Sequence, residues 1–257
     1  LRDVFYSYFL HIILPYLGGL IYPTFLVLFS GYIIVFFIWN IFHSGIYFCY
    51  NRYEVIFMKK ILCLTGAGIS KASGIPTFTE MEDIRVKLSR TYYKSNPEDF
   101  FEVLIKMKDN IDSAQPNPAH IALARFKVPI VTMNIDGLHQ KAGSTDVIEL
   151  HGNLDFVECK KCGSRYPFSA VRKSILCPVC GGVLDTNVVL YGDMIRDYDK
   201  ACTRASQADE VLIIGTSFYT STAIGISQVA QLNQIPTTII NENAEENVEK
   251  YLISVFG

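Results

Sequence analysis

Two Cys-x-x-Cys pairs constrain this chain more than any other feature of its sequence. Cys159 and Cys162 form the first pair, Cys177 and Cys180 form the second, and fourteen residues separate the two. Each pair presents two thiolates to one ion, and a hairpin of this length brings both pairs to a single tetrahedral site. Four unrelated buried cysteines are the alternative, which the double spacing disfavours. The sequence therefore predicts a structural zinc site inside a zinc-ribbon module over residues 153–186.

Charge and the remaining cysteines indicate the setting in which the chain works. The net charge of −2 gives no electrostatic reason to expect a nucleic-acid partner. Cys49, Cys63 and Cys202 are scattered and suggest no disulfide framework. Because a thiolate metal site beside free thiols suits a reducing compartment, the sequence predicts a cytoplasmic protein.

Residues 1–57 differ sharply from the rest of the chain. From Val4 to Asn51 there is no Asp, Glu, Lys or Arg, and residues 1–57 contain no Ala, Lys or Gln. One reading is a membrane anchor of one or two transmembrane helices, since residues 22–42 exceed the roughly 20 apolar residues that span a bilayer. The favoured reading is an over-extended reading frame with true initiation at Met58. Only the first would give this protein a membrane partner.

Residues 58–257 read as a single catalytic domain of the α/β class. Short apolar runs at 61–64, 128–131, 148–150, 211–214 and 237–240 predict buried parallel strands. Residues 80–113 and a segment starting at His120 have helical spacing. This order predicts a Rossmann-like, doubly wound parallel sheet, with the zinc ribbon and a helical segment inserted into it.

Polar clusters follow several of these strands. They comprise residues 66–70, with Gly66 and Gly68 at the start of a helix, residues 134–137, His151-Gly152, residues 215–217 and Asn241. Taken singly, Asn-x-Asp-Gly is commonly a turn and a lone histidine is more often structural than catalytic. In a doubly wound sheet, however, strand carboxyl ends converge on one ligand crevice. We therefore expect these clusters to meet in one site.

The same clusters, taken in order, resemble a known family. The series is Thr65-Gly-Ala-Gly-Ile-Ser70, Ser73-Gly-Ile-Pro76-x-Phe78, Asn134-Ile-Asp-Gly-Leu-His139, His151-Gly152, the two Cys-x-x-Cys pairs, Val188-Val-Leu-Tyr-Gly-Asp193, Gly215-Thr-Ser217 and Ile240-Asn241. It resembles the sirtuins, NAD-dependent protein-lysine deacylases, over the whole of residues 58–257.

The resemblance implies a role for each motif. The cofactor would be NAD, the zinc would be structural, and the substrates would be proteins that carry acylated lysines. His151 would be the general base, assisted at the nicotinamide pocket by Asn134 and Asp136, and its ordinary pKa of about 6.5 suits that role near neutral pH. The residues implied in NAD binding are Gly66, Ala67, Gly68, Ser70, Ile75, Pro76, Phe78, Asn134, Ile135, Asp136, Gly215, Thr216, Ser217 and Asn241. The substrate peptide would pair with Val189, Leu190, Tyr191 and Gly192 as an added strand.

The chain departs from the family pattern in several places. Thr79 stands where an Arg is usual and Met133 where a Gln is usual, which predicts weaker NAD binding. The family's C-terminal helix is expected to be missing, because residues up to 257 read as ending in the last strand. No Tyr-x-x-Arg pair of the desuccinylase type follows Tyr92-Tyr93, so simple or longer apolar acyl groups are predicted.

Two other functions remain open at this point. A protein mono-ADP-ribosyltransferase on the same scaffold would lack the catalytic histidine, whereas His151 stands in its expected Glu-Leu-His-Gly setting. A non-catalytic NAD- and zinc-binding module would not need Asn134, Asp136 and His151 together.

Overall fold

The chain divides into two units, Leu1–Met58 and Lys59–Gly257. The structure, a computed structural model, describes residues 24–29, 32–37, 52–56, 59–77, 80, 82–218 and 221–256.

The described residues of the first unit are β-strands. β1 (Thr24–Phe29), β2 (Tyr32–Phe37) and β3 (Arg52–Ile56) pair antiparallel in the order β1-β2-β3. The run 22–42, for which a transmembrane helix was the alternative interpretation, is β-strand at 24–29 and 32–37, where Phe, Ile, Val and Tyr favour a pleated conformation. In the described parts of the chain, no helix is long and apolar enough to cross a membrane.

The second unit is built on a parallel sheet. Its described strands are β4 (Ile61–Thr65), β5 (Ile130–Thr132), β6 (Val147–Glu149), β7 (Phe156–Glu158), β8 (Arg165–Pro167), β9 (Asp185–Thr186), β10 (Glu210–Ile214) and β11 (Thr237–Ile240). The sheet order is β11-β10-β4-β5-β6, and all neighbours are parallel. All five predicted strands of this sheet are present, which confirms the predicted fold class.

The second unit also contains eight described helices, some of which cover the two faces of this sheet while the first three form the helical segment. They are α1 (Glu82–Lys87), α2 (Arg90–Ser95), α3 (Pro97–Ser113), α4 (Pro118–Arg125), α5 (Leu138–Lys141), α6 (Tyr198–Ser206), α7 (Ser221–Leu232) and α8 (Ala244–Phe256), with 3-10 helices at Ala67–Ser73 and Phe168–Arg172. Successive β4 side chains point to opposite faces, as pleating requires. Leu62 and Leu64 belong to the core with α6 and α7, whereas Ile61 and Cys63 belong to the core with α4 and α8. The central strand is therefore apolar from Ile61 to Leu64, because each of its faces is buried.

Helix α8 corrects the expectation that the last helix of the domain is missing. Ala244, Val248 and Leu252 are buried in the core that α8 shares with α4. These residues recur every four positions, and Glu245 and Glu246 lie in the first turn, where acidic groups suit the helix dipole. This spacing was available in the sequence and predicts a helix after β11.

A second, smaller sheet lies in the chain between β6 and β10. β7 pairs antiparallel with both β8 and β9, and the four metal-type cysteines flank these strands. The sheet shares a core with the helical segment, in which Phe100, Leu104, Val157 and Leu184 are buried. The predicted helical segment and zinc module thus pack together through one apolar cluster.

Candidate active site

Two adjoining cavities lie at the carboxyl ends of the parallel strands. The first measures about 420 Å³ and the second about 320 Å³. They share the wall residues Ala67, Arg85, Met133, Asn134, His151 and Tyr191. The shared wall makes them two compartments of one crevice, at the sheet edge where ligands bind in doubly wound folds.

A close backbone contact shapes the second cavity. The amide of Gly68 donates to the carbonyl oxygen of Gly215 at 2.8 Å, and the amide of Gly66 donates to that of Ile214 at 3.0 Å. A Cβ on Gly68 would lie 2.6 Å from the Gly215 Cα, and Gly215 itself has φ of +62°. Glycine is required at both positions, because a side chain would push the loop away from the strand end.

The far wall of the second cavity is fixed by one amide side chain. Asn241 accepts a hydrogen bond from the Thr216 amide at 3.1 Å through Oδ1 and donates Nδ2 to the Thr216 carbonyl oxygen at 2.9 Å. Ser217, the next residue, lines the same cavity and is exposed. The pairing holds the ends of β10 and β11 together and leaves the Ser217 side chain accessible to a ligand.

Asn134, Asp136 and Ser70 form a hydrogen-bonded group, in which Asn134 belongs to the shared wall and Asp136 lines the first cavity only. Ser70 Oγ donates to Asp136 Oδ2 at 2.6 Å, and Asn134 Nδ2 donates to Ser70 Oγ and to the Gly66 carbonyl oxygen, each at 3.2 Å. Ser70 is fully buried behind this wall, so its hydroxyl faces the two side chains rather than a cavity. The sequence prediction had it in direct contact with the cofactor.

His151 presents a basic nitrogen at the same wall. Its Nδ1 lies 2.8 Å from the Met133 carbonyl oxygen, which only accepts, so Nδ1 carries the proton and Nε2 has the free lone pair. Burial lowers the pKa of this imidazole, although the bond to Met133 opposes the shift. The ring is therefore neutral at neutral pH and able to accept a proton.

The segment Val188–Asp193 runs along the first cavity and is fixed on both sides. The Val189 amide donates to the His151 carbonyl oxygen at 2.9 Å, and Tyr191 exchanges backbone bonds with Leu88 and Arg90. The Arg90 guanidinium donates to both carboxylate oxygens of Asp193, at 2.8 and 2.7 Å, and to Asp185 at 2.7 Å. Arg90 thereby ties the helical segment, β9 and this segment into one unit.

The four paired cysteines converge as predicted. Their sulfur atoms all lie within 4.8 Å of one another, with Cys159 and Cys180 at 3.4 Å and Cys162 and Cys177 at 3.6 Å. A tetrahedron of thiolates about 2.3 Å from zinc has edges of about 3.8 Å, so this donor set fits zinc. The set is closed by four sulfurs and lies outside both cavities, which fits a structural ion.

The predicted residues do not all reach the cavities, and several lining residues were not predicted. Ile75, Pro76 and Ile135 line the first cavity, whereas Phe78 and Thr79 lie outside the described residues. The sequence reasoning missed Arg85, which lines both cavities, and also Met107 and Ile111. Met107 and Ile111 lie in the segment 80–113, for which the sequence predicts a helix but does not say what that helix faces.

Comparisons with known proteins agree with this geometry. The Sir2 family model matches residues 66–221. An NAD-dependent protein deacetylase of Caldivirga maquilingensis is 39% identical over 176 residues, which cover 62% of this chain and 68% of the relative. That of Bacillus subtilis is 39% identical over 198 residues, 68% of this chain and 80% of the relative. A solved complex of Sir2 with a p53 peptide and NAD+ superposes with a TM-score of 0.68 at 27% identity, covering 76% of this chain and 92% of that one. The chain therefore belongs to the Sir2 family.

Proposed function

We propose that this protein is an NAD-dependent protein-lysine deacylase, which moves the acyl group from lysine to ADP-ribose and releases nicotinamide. One observation carries the proposal: His151, with a basic nitrogen, and Asn134 line the wall shared by two cavities, and Asp136, which is linked to Asn134 through Ser70, lines the first cavity. The relatives are named as deacetylases, and the similar Sir2 complex contains both a peptide and NAD+.

NAD would occupy the second cavity and reach the shared wall. Gly66, Gly68 and Gly215 pack backbone against backbone and line this cavity without side chains, which lets a phosphate approach the main chain closely. Thr216, Ser217 and Asn241 supply hydrogen-bonding groups at the opposite side. When bound, NAD supplies the glycosidic bond whose cleavage frees nicotinamide and leaves an electrophilic ribose carbon.

Asn134, Asp136 and His151 would then orient the nicotinamide and deprotonate a ribose hydroxyl of the cofactor. Asn134 and Asp136 would hold the nicotinamide carboxamide, since their side chains are locked by Ser70 and by the Leu138 amide. His151 Nε2 would accept a proton from a ribose hydroxyl, while the Met133 carbonyl oxygen holds Nδ1–H and hence the tautomer. Burial of this ring keeps the basic form populated at neutral pH.

The first cavity would receive the acylated lysine of a protein substrate. Its lining is mostly apolar and includes Met107, Ile111, Ile135 and Val188, which favours acetyl or longer uncharged acyl groups over carboxylated ones. The peptide would add a strand along Val189, Leu190, Tyr191 and Gly192. Comparing acetyl-, propionyl- and succinyl-lysine forms of one peptide tests this preference, and faster turnover of the succinyl form would contradict it.

The proposed reaction has a direct test. The full chain is incubated with NAD and an acetyl-lysine peptide, and released nicotinamide is quantified, with the unmodified peptide as control. We expect peptide-dependent release that falls by about 10²- to 10⁴-fold in His151→Ala, the range for loss of a general base. Transfer of labelled ADP-ribose to protein with no loss in that variant would instead support an ADP-ribosyltransferase.

We also propose that residues 58–257 are the catalytic domain and that the enzyme acts in the cytoplasm. Cys63 and Cys202 are free thiols, and four other cysteines of the domain form a metal-type cluster. A chain with both suits a reducing compartment. A chain of residues 58–257 is expected to keep the full rate of nicotinamide release. Cell fractionation of the full chain separates this proposal from membrane anchoring through residues 1–57.

A further inference from the structure

A buried histidine on α4 lies behind the shared wall and contacts neither cavity. His120 is fully buried at the third position of the helix, and its Nδ1 accepts a hydrogen bond from the backbone amide of Asn117 at 3.4 Å. Asn117 in turn donates Nδ2 to the Ile69 carbonyl oxygen at 2.7 Å and to Ser73 Oγ at 3.1 Å. The start of α4 is thereby bonded to the 3-10 helix that follows the glycine turn.

The donor at Asn117 determines which nitrogen of His120 carries the proton. A backbone N–H only donates, so Nδ1 must offer its lone pair, and the proton of the neutral ring lies on Nε2. His120 Nε2 lies 3.5 Å from Ser70 Oγ, and it is therefore the donor in that contact. The imidazole thus accepts a hydrogen bond from the start of the helix through Nδ1 and donates one to Ser70 through Nε2.

The hydroxyl of Ser70 connects His120 to Asp136 and Asn134 through hydrogen bonds. It has one proton, which goes to Asp136 Oδ2 at 2.6 Å, so its oxygen accepts from His120 and from Asn134 Nδ2. Every donor along this chain has one acceptor assigned to it. Ser70 is consequently held at the point where it fixes both Asp136 and Asn134.

The surroundings of His120 keep this arrangement intact at neutral pH. Burial lowers the pKa of His120 to about 4, although Asp136 opposes the shift, and burial lowers that of His139 to about 3. The ring centroids of His120 and His139 lie 4.9 Å apart. Protonation of His120 would put a second N–H against the Asn117 amide, and the neutral ring avoids that conflict.

We propose that His120 is a positioning residue of the reaction: as the Nε2–H tautomer it holds Ser70 so that Asp136 and Asn134 keep the orientation needed at the nicotinamide pocket. The inference rests on the proposed function for its kinetic consequence. Nothing in it requires His120 to touch the substrate or NAD.

Two substitutions separate this role from that of a helix cap. In His120→Asn the Oδ1 atom replaces Nδ1 as the acceptor for Asn117, but no donor reaches Ser70. In His120→Gln the amide Nε2 replaces the ring Nε2 as the donor to Ser70, whereas the acceptor for the Asn117 amide is lost. Both remove the ring next to His139, so each variant is the matched control of the other.

The measurements are kcat, the KM values for NAD and peptide, the inhibition constant of nicotinamide, and the thermal midpoint. We expect His120→Asn to lose about 10- to 100-fold in kcat/KM for NAD, the size of effect that a misplaced reacting group produces. Its inhibition constant for nicotinamide should rise as well, while KM for the peptide and the thermal midpoint stay near those of wild type. His120→Gln should restore most of the rate despite a lower thermal midpoint.

The reverse pattern, with Asn active and Gln inactive, would overturn the proposal and leave only the capping role. The ¹⁵N spectrum of the His120 ring gives an answer that does not depend on activity, since it distinguishes the protonated nitrogen from the bare one. A proton on Nδ1 would overturn the inference. If the folded wild-type chain releases no nicotinamide, the proposed function is rejected, and this spectrum still decides whether the hydrogen-bond chain behind the wall exists.

Discussion

Gly68→Ala should weaken NAD binding and stability together, because the added methyl group meets backbone. A Cβ at this position would lie 2.6 Å from Gly215 Cα, 2.8 Å from its carbonyl oxygen and 3.0 Å from its carbonyl carbon. No side chain can rotate away from such a contact, so the turn must shift from the end of β10 by several tenths of an ångström. Overpacking of this kind costs about 1–3 kcal/mol, and each kcal/mol lowers the thermal midpoint of a domain this size by about 2–4 °C. A displaced phosphate cradle should raise the Kd for NAD by about tenfold or more.

Calorimetry supplies both measurements for Gly68→Ala, and Gly143→Ala supplies the control. Gly143 has φ of +100°, has open space around its Cβ position and lines neither cavity. Alanine there costs a similar 1–3 kcal/mol through backbone strain alone. We expect both variants to melt earlier and only Gly68→Ala to lose NAD affinity. An unchanged midpoint and Kd for Gly68→Ala would refute the close-approach argument, and an equal loss of affinity in both would show a global effect.

Four further results are expected. Since burial lowers the pKa of His151 below its ordinary 6.5, kcat/KM should be flat near neutral pH and fall only on the acid side of 6.5, and a limb that begins above pH 7 would contradict its role as base. Burial also lowers the pKa values of His120 and His139, so the stability that these neutral imidazoles contribute is fully present above pH 6.5. Below pH 6.5 the free energy of unfolding should decrease by up to about 1.4 kcal/mol per pH unit for each ring. Urea midpoints at pH 7.5 and 5.5 measure this decrease, and a pH-independent midpoint would argue against buried neutral rings. Removal of zinc by a chelator, or Cys177→Ser, should unfold the small sheet, because binding of a structural zinc ion contributes about 10–16 kcal/mol in isolated zinc fingers. Zinc content and circular dichroism report the outcome, and a zinc-free protein with an unchanged melting curve would disprove the assignment. Arg90→Lys should lose the bidentate hydrogen bond to Asp193 and lower the free energy of unfolding by about 1.5–3 kcal/mol. It should also raise KM for the peptide more than KM for NAD. An equal rise in both KM values would show that Arg90 does not act through the peptide-binding segment.

The parts of the fold that follow from local patterns were predictable. The apolar runs beginning at Ile61 and Val211 identify central strands because both sheet faces are covered, and the cysteine spacing identifies the metal site because four sulfurs in that order satisfy one tetrahedron. Helix α8 was equally readable, since Val248 and Leu252 follow Ala244 at four-residue intervals. The error there came from weighing the end of the chain above its periodicity.

The parts of the site that depend on long-range packing were not predictable. The sequence predicts a cofactor contact for Ser70, but it does not show that this hydroxyl bonds Asp136, 66 positions further along. His120 gave a local signal, because Asn117-Pro118 starts a helix whose third residue can bond back to the cap. That signal says nothing of Ser70, which meets His120 only when the 3-10 helix Ala67–Ser73 packs against α4. The wall residue Arg85 carries no motif at all.

The position of β4 has a consequence for how this protein is made. The strand pairs with β5 on one side and with β10 on the other, and its partner Glu210 comes about 150 residues after Ile61. At about 5–20 residues per second, a ribosome needs roughly 7–30 s to deliver that second partner. Throughout this interval β4, which is apolar from Ile61 to Leu64, has no partner on the side of β10, and the turn at residues 66–68 lacks Gly215. The second cavity is therefore incomplete until β10 emerges, and we expect the nascent chain to need chaperones before that point rather than after release.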